Sequence, residues 1–149
     1  MCIRDSVHLV QLLSATGAPA DLVAAGDPRT YADLVTPQGL AGIARYADGI
    51  GPDLAQVIPL APDGRLGAPT ALVDDAHAAH LLVHPYTSRP ENEYLPADFD
   101  SDADPSDFGD VLDLQVRYWQ TGIDGLFTDT ADIGVESRRL ATGEDVAAA

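Results

Sequence analysis

Short apolar runs, several of them ending in polar residues, recur along the chain, and most are followed by a stretch with helical spacing. Val7-His8-Leu9-Val10-Gln11-Leu12-Leu13 is a strand-type run, closed by the breakers between Ser14 and Pro19. Residues 18–36, rich in Ala, Gly, Pro and Asp, read as loop with one short helical turn. Thr36-Pro37 then opens a helix, with Thr36 as N-cap and Pro37 at the first helical position. Leu40, Ile43, Ala44 and Ala47 fall on one face of it. Asp48 to Pro52 is a short strand, and Asp53 suits the N-cap of the next segment. Leu54 to Leu60 fits either kind of element, and Pro62-Asp63-Gly64-Arg65 is a turn. Thr70 to His80 is helical, with Leu72, Val73, Ala76 and His80 inward. Leu81 to His84 is a strand, expected to be buried on both faces. Residues 88–109 form a long polar loop with three prolines. A helix from Asp110 to Gln120 puts Val111, Leu114, Gln115, Tyr118 and Trp119 on one side. Gly125 to Asp129 is the last strand and Thr130 to Leu140 the last helix.

This alternation predicts an α/β fold: four parallel strands with intervening helices, right-handed at each crossover. Four such units are half of a TIM (β/α)8 barrel. The polar residues collect at the carboxyl ends of the strands, where parallel α/β proteins place their chemistry. Such a half-barrel leaves its first and last strands with unpaired edges. Val10, Ile50, Val83 and Phe127, read as inward, would lack an opposing layer. The chain alone is therefore expected to aggregate, to fold marginally or to dimerise.

Size agrees with less than a full barrel. The chain has 149 residues, against about 250 for a complete one. Hydrophobic residues make up 46% and charged residues 21%, with no run long enough to span a membrane. The formal charge is −16, from 24 acidic residues against eight arginines and no lysine. That field repels phosphate backbones and anionic lipid, which argues against nucleic-acid or membrane-surface binding. Cys2 is the single cysteine, so no internal disulfide can form. Residues 1–6 differ in composition from the rest and read as a non-native leader, 7–141 as the partial domain, and 142–149 as a disordered tail.

Three blocks carry a resemblance: Tyr46-Ala47-Asp48-Gly49-Ile50-Gly51-Pro52-Asp53, His80-Leu81-Leu82-Val83-His84-Pro85-Tyr86-Thr87 and Gly125-Leu126-Phe127-Thr128-Asp129. In order and spacing they resemble the C-terminal part of bacterial glycerophosphodiester phosphodiesterases of the periplasmic type, over residues 7 to 140. The resemblance implies a substrate-binding set. Tyr86 would line the glycerol-phosphate pocket, Gln11 would face the barrel mouth, and Gly51 would let the backbone approach the ligand. From the residues alone, Tyr86 is a strand-end tyrosine, Gln11 fits a bond to a neighbouring strand equally well, and the glycines fit a plain strand-to-turn transition. His84 reads as inward-packed, with a ring nitrogen bonded to backbone. Asp129 or Thr130 suits the cap of the last helix, although the family continues Phe-Pro-Asp where this chain has Thr130-Ala131-Asp132.

The resemblance further implies a hydrolase that releases sn-glycerol 3-phosphate and an alcohol from a small-molecule glycerophosphodiester. It would use a divalent cation (Ca2+ or Mg2+) and two histidines in general acid–base roles, in a periplasmic or secreted setting. The family's His-Arg-Gly and Glu-x-Asp motifs have no match here, so catalytic and metal residues are expected in an N-terminal half of the barrel that this chain lacks, and none is assigned. The alternative is a non-catalytic half-barrel that binds a ligand or assembles with a partner.

Other constellations are weaker. His77, His80 and His84 have ligand-like spacing but straddle a helix and a strand. Asp98, Asp100, Asp102 and Asp104 alternate like a calcium loop, yet Ala103 and Gly109 stand where that loop needs glycine and a bidentate glutamate. Ser88 has no nucleophile elbow around it.

Overall fold

A computed structural model describes residues 7–143; the expected leader, and all but the first two residues of the expected tail, lie outside them. Three short strands, β1 (Val10–Leu13), β2 (Gly49–Pro52) and β3 (Leu82–Val83), form a parallel sheet in the order β1-β2-β3. Between β1 and β2 run α1 (Ala20–Ala24), α2 (Tyr31–Leu34) and α3 (Pro37–Ile43), and between β2 and β3 run α4 (Leu54–Val57) and α5 (Leu72–Ala78). A 3-10 turn (Asn92–Tyr94), α6 (Val111–Trp119) and α7 (Ala131–Thr142) come after β3. No helix among the described residues is long and apolar enough to cross a membrane.

Local chemistry explains most boundaries. Thr36 Oγ1 accepts the Gly39 amide at 3.2 Å and Pro37 takes the first helical position, as the sequence suggests. Asp53 accepts the Ala55 amide at 2.9 Å while Gln56 returns a bond to the Asp53 amide, so α4 begins in a capping box. The segment 18–36 holds two short helices instead of one turn. A second capping pair explains α2: the Asp33 carboxylate accepts both the amide and the hydroxyl of Thr30. Gly39 then lets α3 lie directly on the backbone of α2, since a Cβ there would come within 2.5 Å of Leu34 Cα.

The expected fourth strand is not formed. Residues 124–129 do run beside β3: the Asp124 and Gly125 amides donate to Val83 O, and the Phe127 amide donates to Pro85 O. Only Ser88 and Thr128 make a true parallel bridge. Pro85 has no N–H to return, so the ladder breaks there.

Register decides which side chains share a face. Val10 pairs with Gly49 and Gly49 with Leu82; Gln11 pairs with Ile50 and Ile50 with Val83. Leu13, Ile50 and Val83 are fully buried, in one core with Leu40 and Ile43 of α3, Val73 and Ala76 of α5, and Leu114 and Tyr118 of α6. The opposite face is open: Val10 is 38%, Leu12 54%, Leu82 47% and Phe127 47% exposed. Two expectations are thereby corrected. Ile50 and Val83, expected to lack an opposing layer, are covered by the helices, whereas Val10 and Phe127 lie on the open face, and β3 is buried on one side only. His80 is also exposed, in the left-handed region (φ 61°) just beyond α5.

α6 and α7 close the helical layer through a buried polar cluster. Gln115 Nε2 donates to Ser88 Oγ (3.0 Å) and Thr128 Oγ1 (2.9 Å), and Ser137 Oγ donates to Gln115 Oε1 (3.0 Å). Trp119 Nε1 donates to Ser137 Oγ at 3.0 Å. α7 ends at Thr142, two residues beyond the expected Leu140, and Gly143, whose φ of 69° suits glycine, caps it.

Candidate functional site

Side chains alternate across a strand, so the open face can be followed to its carboxyl rim. Along β3 and its exit, Leu82, His84 and Tyr86 are at least partly exposed while Val83 and Pro85 are buried. Tyr86 crosses the ends of the strands: its hydroxyl donates to Leu13 O at 3.3 Å and lies 3.5 Å from Ser14 Oγ. His84 sits deeper, its ring over Gly125, where a Cβ would come within 2.8 Å of the ring. The ring makes no hydrogen bond among the described residues, contrary to the expected backbone bond.

Ser88 and Thr128 both turn toward Gln115 on the helical side. The next residues, Arg89 and Asp129, meet beyond the ends of the strands. There Arg89 Nε donates to Asp129 Oδ2 at 3.0 Å, and the guanidinium stands 4.3 Å from the centre of the Tyr94 ring. Asp129 is thus engaged with Arg89 and does not cap α7; Thr130 occupies the N-cap without a side-chain cap bond. Two polar pairs, Ser14 with Tyr86 and Arg89 with Asp129, thus follow the carboxyl ends of the strands, and this end of the sheet is the polar rim of the apolar face.

The other predicted substrate residues stand apart from one another. Gly51 lies beneath the wall, where a Cβ would come 2.6 Å from Leu12 Cδ2 and 3.2 Å from His84 O. Its smallness makes room for Leu12. Gln11 faces the helices, paired with Ile50. Its amide donates to Leu12 O, and Tyr46 donates to its Oε1 at 2.9 Å, beside a hollow of about 250 Å3 between α1 and α3. Burial, with the Asp21 charge adding to it, raises the Tyr46 hydroxyl above its ordinary pKa, so it remains a donor. Gln11 and Tyr86 therefore do not converge on one site.

A smaller cleft of about 240 Å3 opens behind the rim, lined by Asp53, Leu60, Tyr86, Tyr94 and Tyr118 among others. Burial, and secondarily the Asp53 carboxylate, pushes the Tyr118 phenol well above its usual range. It stays neutral and points at Leu54 O, 3.5 Å away. Asn92 organises the acidic loop: its Nδ2 donates to Asp104 O at 2.8 Å and its Oδ1 accepts the Ser101 amide at 3.1 Å. Two aspartates of that loop serve its own turns, Asp102 on the Asp104 amide and Asp104 on Ser106, while Asp98 accepts the Leu66 amide at 3.0 Å. His77 bonds Asp124, whose Oδ2 also accepts the Val83 amide at 2.8 Å. Among the described residues no three His, Cys, Asp or Glu side chains converge as metal ligands.

Comparison with known proteins bears on this arrangement. Over 103 residues, 68% of this chain and 25% of the relative, the sequence is 40% identical to glycerophosphodiester phosphodiesterase GDPD6 of Arabidopsis thaliana. Over 109 residues, 71% of this chain and 27% of the relative, it is 32% identical to a glycerophosphodiester phosphodiesterase of Haemophilus influenzae. This chain belongs to the glycerophosphodiester phosphodiesterase family. That is a family of hydrolases, and the chain spans about a quarter of the length of these curated relatives. No family profile matches it. Of the four polar residues at the strand ends, sequence reading singles out Tyr86 for ligand contact and does not foresee that Arg89 and Asp129 pair. Arg89 and Asp129 lie 40 residues apart.

Proposed function

We propose that residues 7–143 are the C-terminal half of a TIM barrel that hydrolyses glycerophosphodiesters to sn-glycerol 3-phosphate and an alcohol. The carrying observation is an apolar sheet face left open beneath a polar rim, in a chain of this family. In this reading the open face is the inner wall of the barrel, and further strands contributed from outside this chain cover it. Tyr86 bounds the pocket with its ring and presents its hydroxyl to a substrate oxygen. Gly51 acts indirectly, by seating Leu12 in the wall. Gln11 faces the helices and keeps no substrate role in this reading.

The divalent cation implied by the family, calcium or magnesium, does not fit the donors present. Asp129 is paired with Arg89, Asp53 caps α4, and Asp124 ties His77 to β3. Its ligands, and the acid and base, would come from the rest of the barrel. The isolated chain is accordingly expected to be inactive. A periplasmic or secreted setting is part of the same proposal, supported by the acidic, lysine-free composition.

A chimera tests this reading: residues 7–143 replace the matching stretch of the Haemophilus influenzae relative, and hydrolysis of glycerophosphocholine is monitored with calcium present. The chimera should turn over substrate, and Tyr86→Ala should raise KM by roughly tenfold. A folded chimera without turnover would sink the proposal.

A further inference from the structure

We propose that Arg89 is an anion-binding residue of the rim, and that Asp129 is a resting partner which an incoming phosphate oxygen displaces. The inference rests on the glycerophosphodiester reading of the rim and adds a residue to it. Its first support is electrostatic. The chain carries a formal charge of −16 and has no lysine, so an anion nears it against a repulsive field unless a local cation intervenes. Ser14 and Tyr86 bring hydroxyls to the rim and Asp129 brings negative charge; Arg89 brings the guanidinium.

The second support is how little of Arg89 is used. Arg29 is clamped by Asp27 through both Nε and Nη2, and Arg139 by Glu136 through Nε and Nη2. Arg89 gives Asp129 its Nε alone, and its Nη1 and Nη2 make no hydrogen bond among the described residues. A guanidinium has five N–H donors arranged to meet a phosphate two at a time, and here most of them are unused. The guanidinium rests 4.3 Å from the Tyr94 ring centre, a contact that limits its freedom and so lessens the ordering needed when an anion arrives. The contact to be displaced is weak, because both side chains are about half exposed and water screens the pair.

The experiment is an NMR titration of the full 149-residue chain, monitoring the Arg89 Nε–Hε signal and the Tyr86 and Ser14 amides. Inorganic phosphate and sn-glycerol 3-phosphate are the two probes. Both should shift the Arg89 signal, with glycerol 3-phosphate binding more tightly if the rim also reads the glycerol. Arg89→Ala should weaken glycerol 3-phosphate by about tenfold or more, and Arg89→Lys should restore part of it, since an ammonium keeps the charge but loses the fork. Asp129→Asn should tighten binding by removing the competitor. That gain keeps the proposal open to refutation even if Arg89→Ala fails to fold. Unchanged affinity in Arg89→Ala and Asp129→Asn, with Tyr86 and Ser14 still shifting, would overturn the role of Arg89 and leave the glycerophosphodiester reading intact. If neither probe moves any rim signal in the parent chain, the inference fails, while turnover by the chimera decides the glycerophosphodiester reading separately.

Discussion

Gln115→Ala is expected to destabilise the fold by roughly 3 kcal/mol or more, the sum of a cavity and a broken polar cluster. Gln115 and Ser137 are fully buried and Ser88 almost so. Removing the amide leaves the Ser88 hydroxyl without its donor in the core, and Ser137 without one acceptor. Ser137 keeps its bonds to Gly134 O and Trp119, so the damage centres on Ser88 and the empty volume. Gln115→Met preserves most of the volume and should cost less, which separates packing from hydrogen bonding. Urea unfolding gives the check: the midpoint for Gln115→Ala should fall by about 1–2 M with the slope unchanged. A midpoint equal to the parent's would mean the cluster is not formed. The loss matters for the rim too, because Gln115 orients Ser88 and Thr128, and so fixes the direction of Arg89 and Asp129.

The second large effect concerns the open face. Val10, Leu12, Leu82 and Phe127 together leave about four half side chains in water, each worth on the order of 1 kcal/mol if covered. Counted over both chains of a dimer, that gain exceeds an association cost of at least about 4 kcal/mol by only about 4 kcal/mol, so self-association should be weak, with a dissociation constant on the order of 1 mM. Two chains of charge −16 also repel each other. Salt screens that repulsion and should strengthen the association. Leu12→Glu together with Leu82→Glu should return the chain to monomer in sedimentation experiments, since a carboxylate placed in such an interface must be desolvated. A parent chain that stays monomeric at high salt and high concentration would show that this face does not drive contact.

Much of the layer structure is legible in the residues. Thr36-Pro37 and Asp53 mark helix starts that the structure bears out, and Leu40, Leu72, Val73, Ala76, Val111, Leu114 and Tyr118 are buried as their spacing suggests. The faces of the sheet are less legible. The run from Val7 to Leu13 does not alternate cleanly, so it cannot say whether Gln11 or Leu12 points to the helices. Register settles it, and the available clue was Gly49 and Gly51 two apart on β2, which leave space for Val10, Leu12 and Leu82 on one face. Leu126-Phe127-Thr128 has strand chemistry, but the proline that interrupts its pairing lies on the neighbouring segment, so the sequence predicts a fourth strand that the backbone does not complete. Tyr86 stands out in the sequence as a strand-end aromatic, whereas the pairing of Arg89 with Asp129, 40 residues away, is set by tertiary structure and has no local signal.

Thiol labelling most directly tests whether the face carrying Leu12 and Leu82 is one wall of a shared cup. Single cysteines at Leu12, Leu82 and Val83, in a Cys2→Ser background, are compared in the dilute isolated chain and in the Haemophilus chimera. The account requires Leu12→Cys and Leu82→Cys to react fast in the isolated chain and slowly in the chimera, with Val83→Cys slow in both. Equal, fast labelling of Leu12→Cys and Leu82→Cys in the chimera would contradict it.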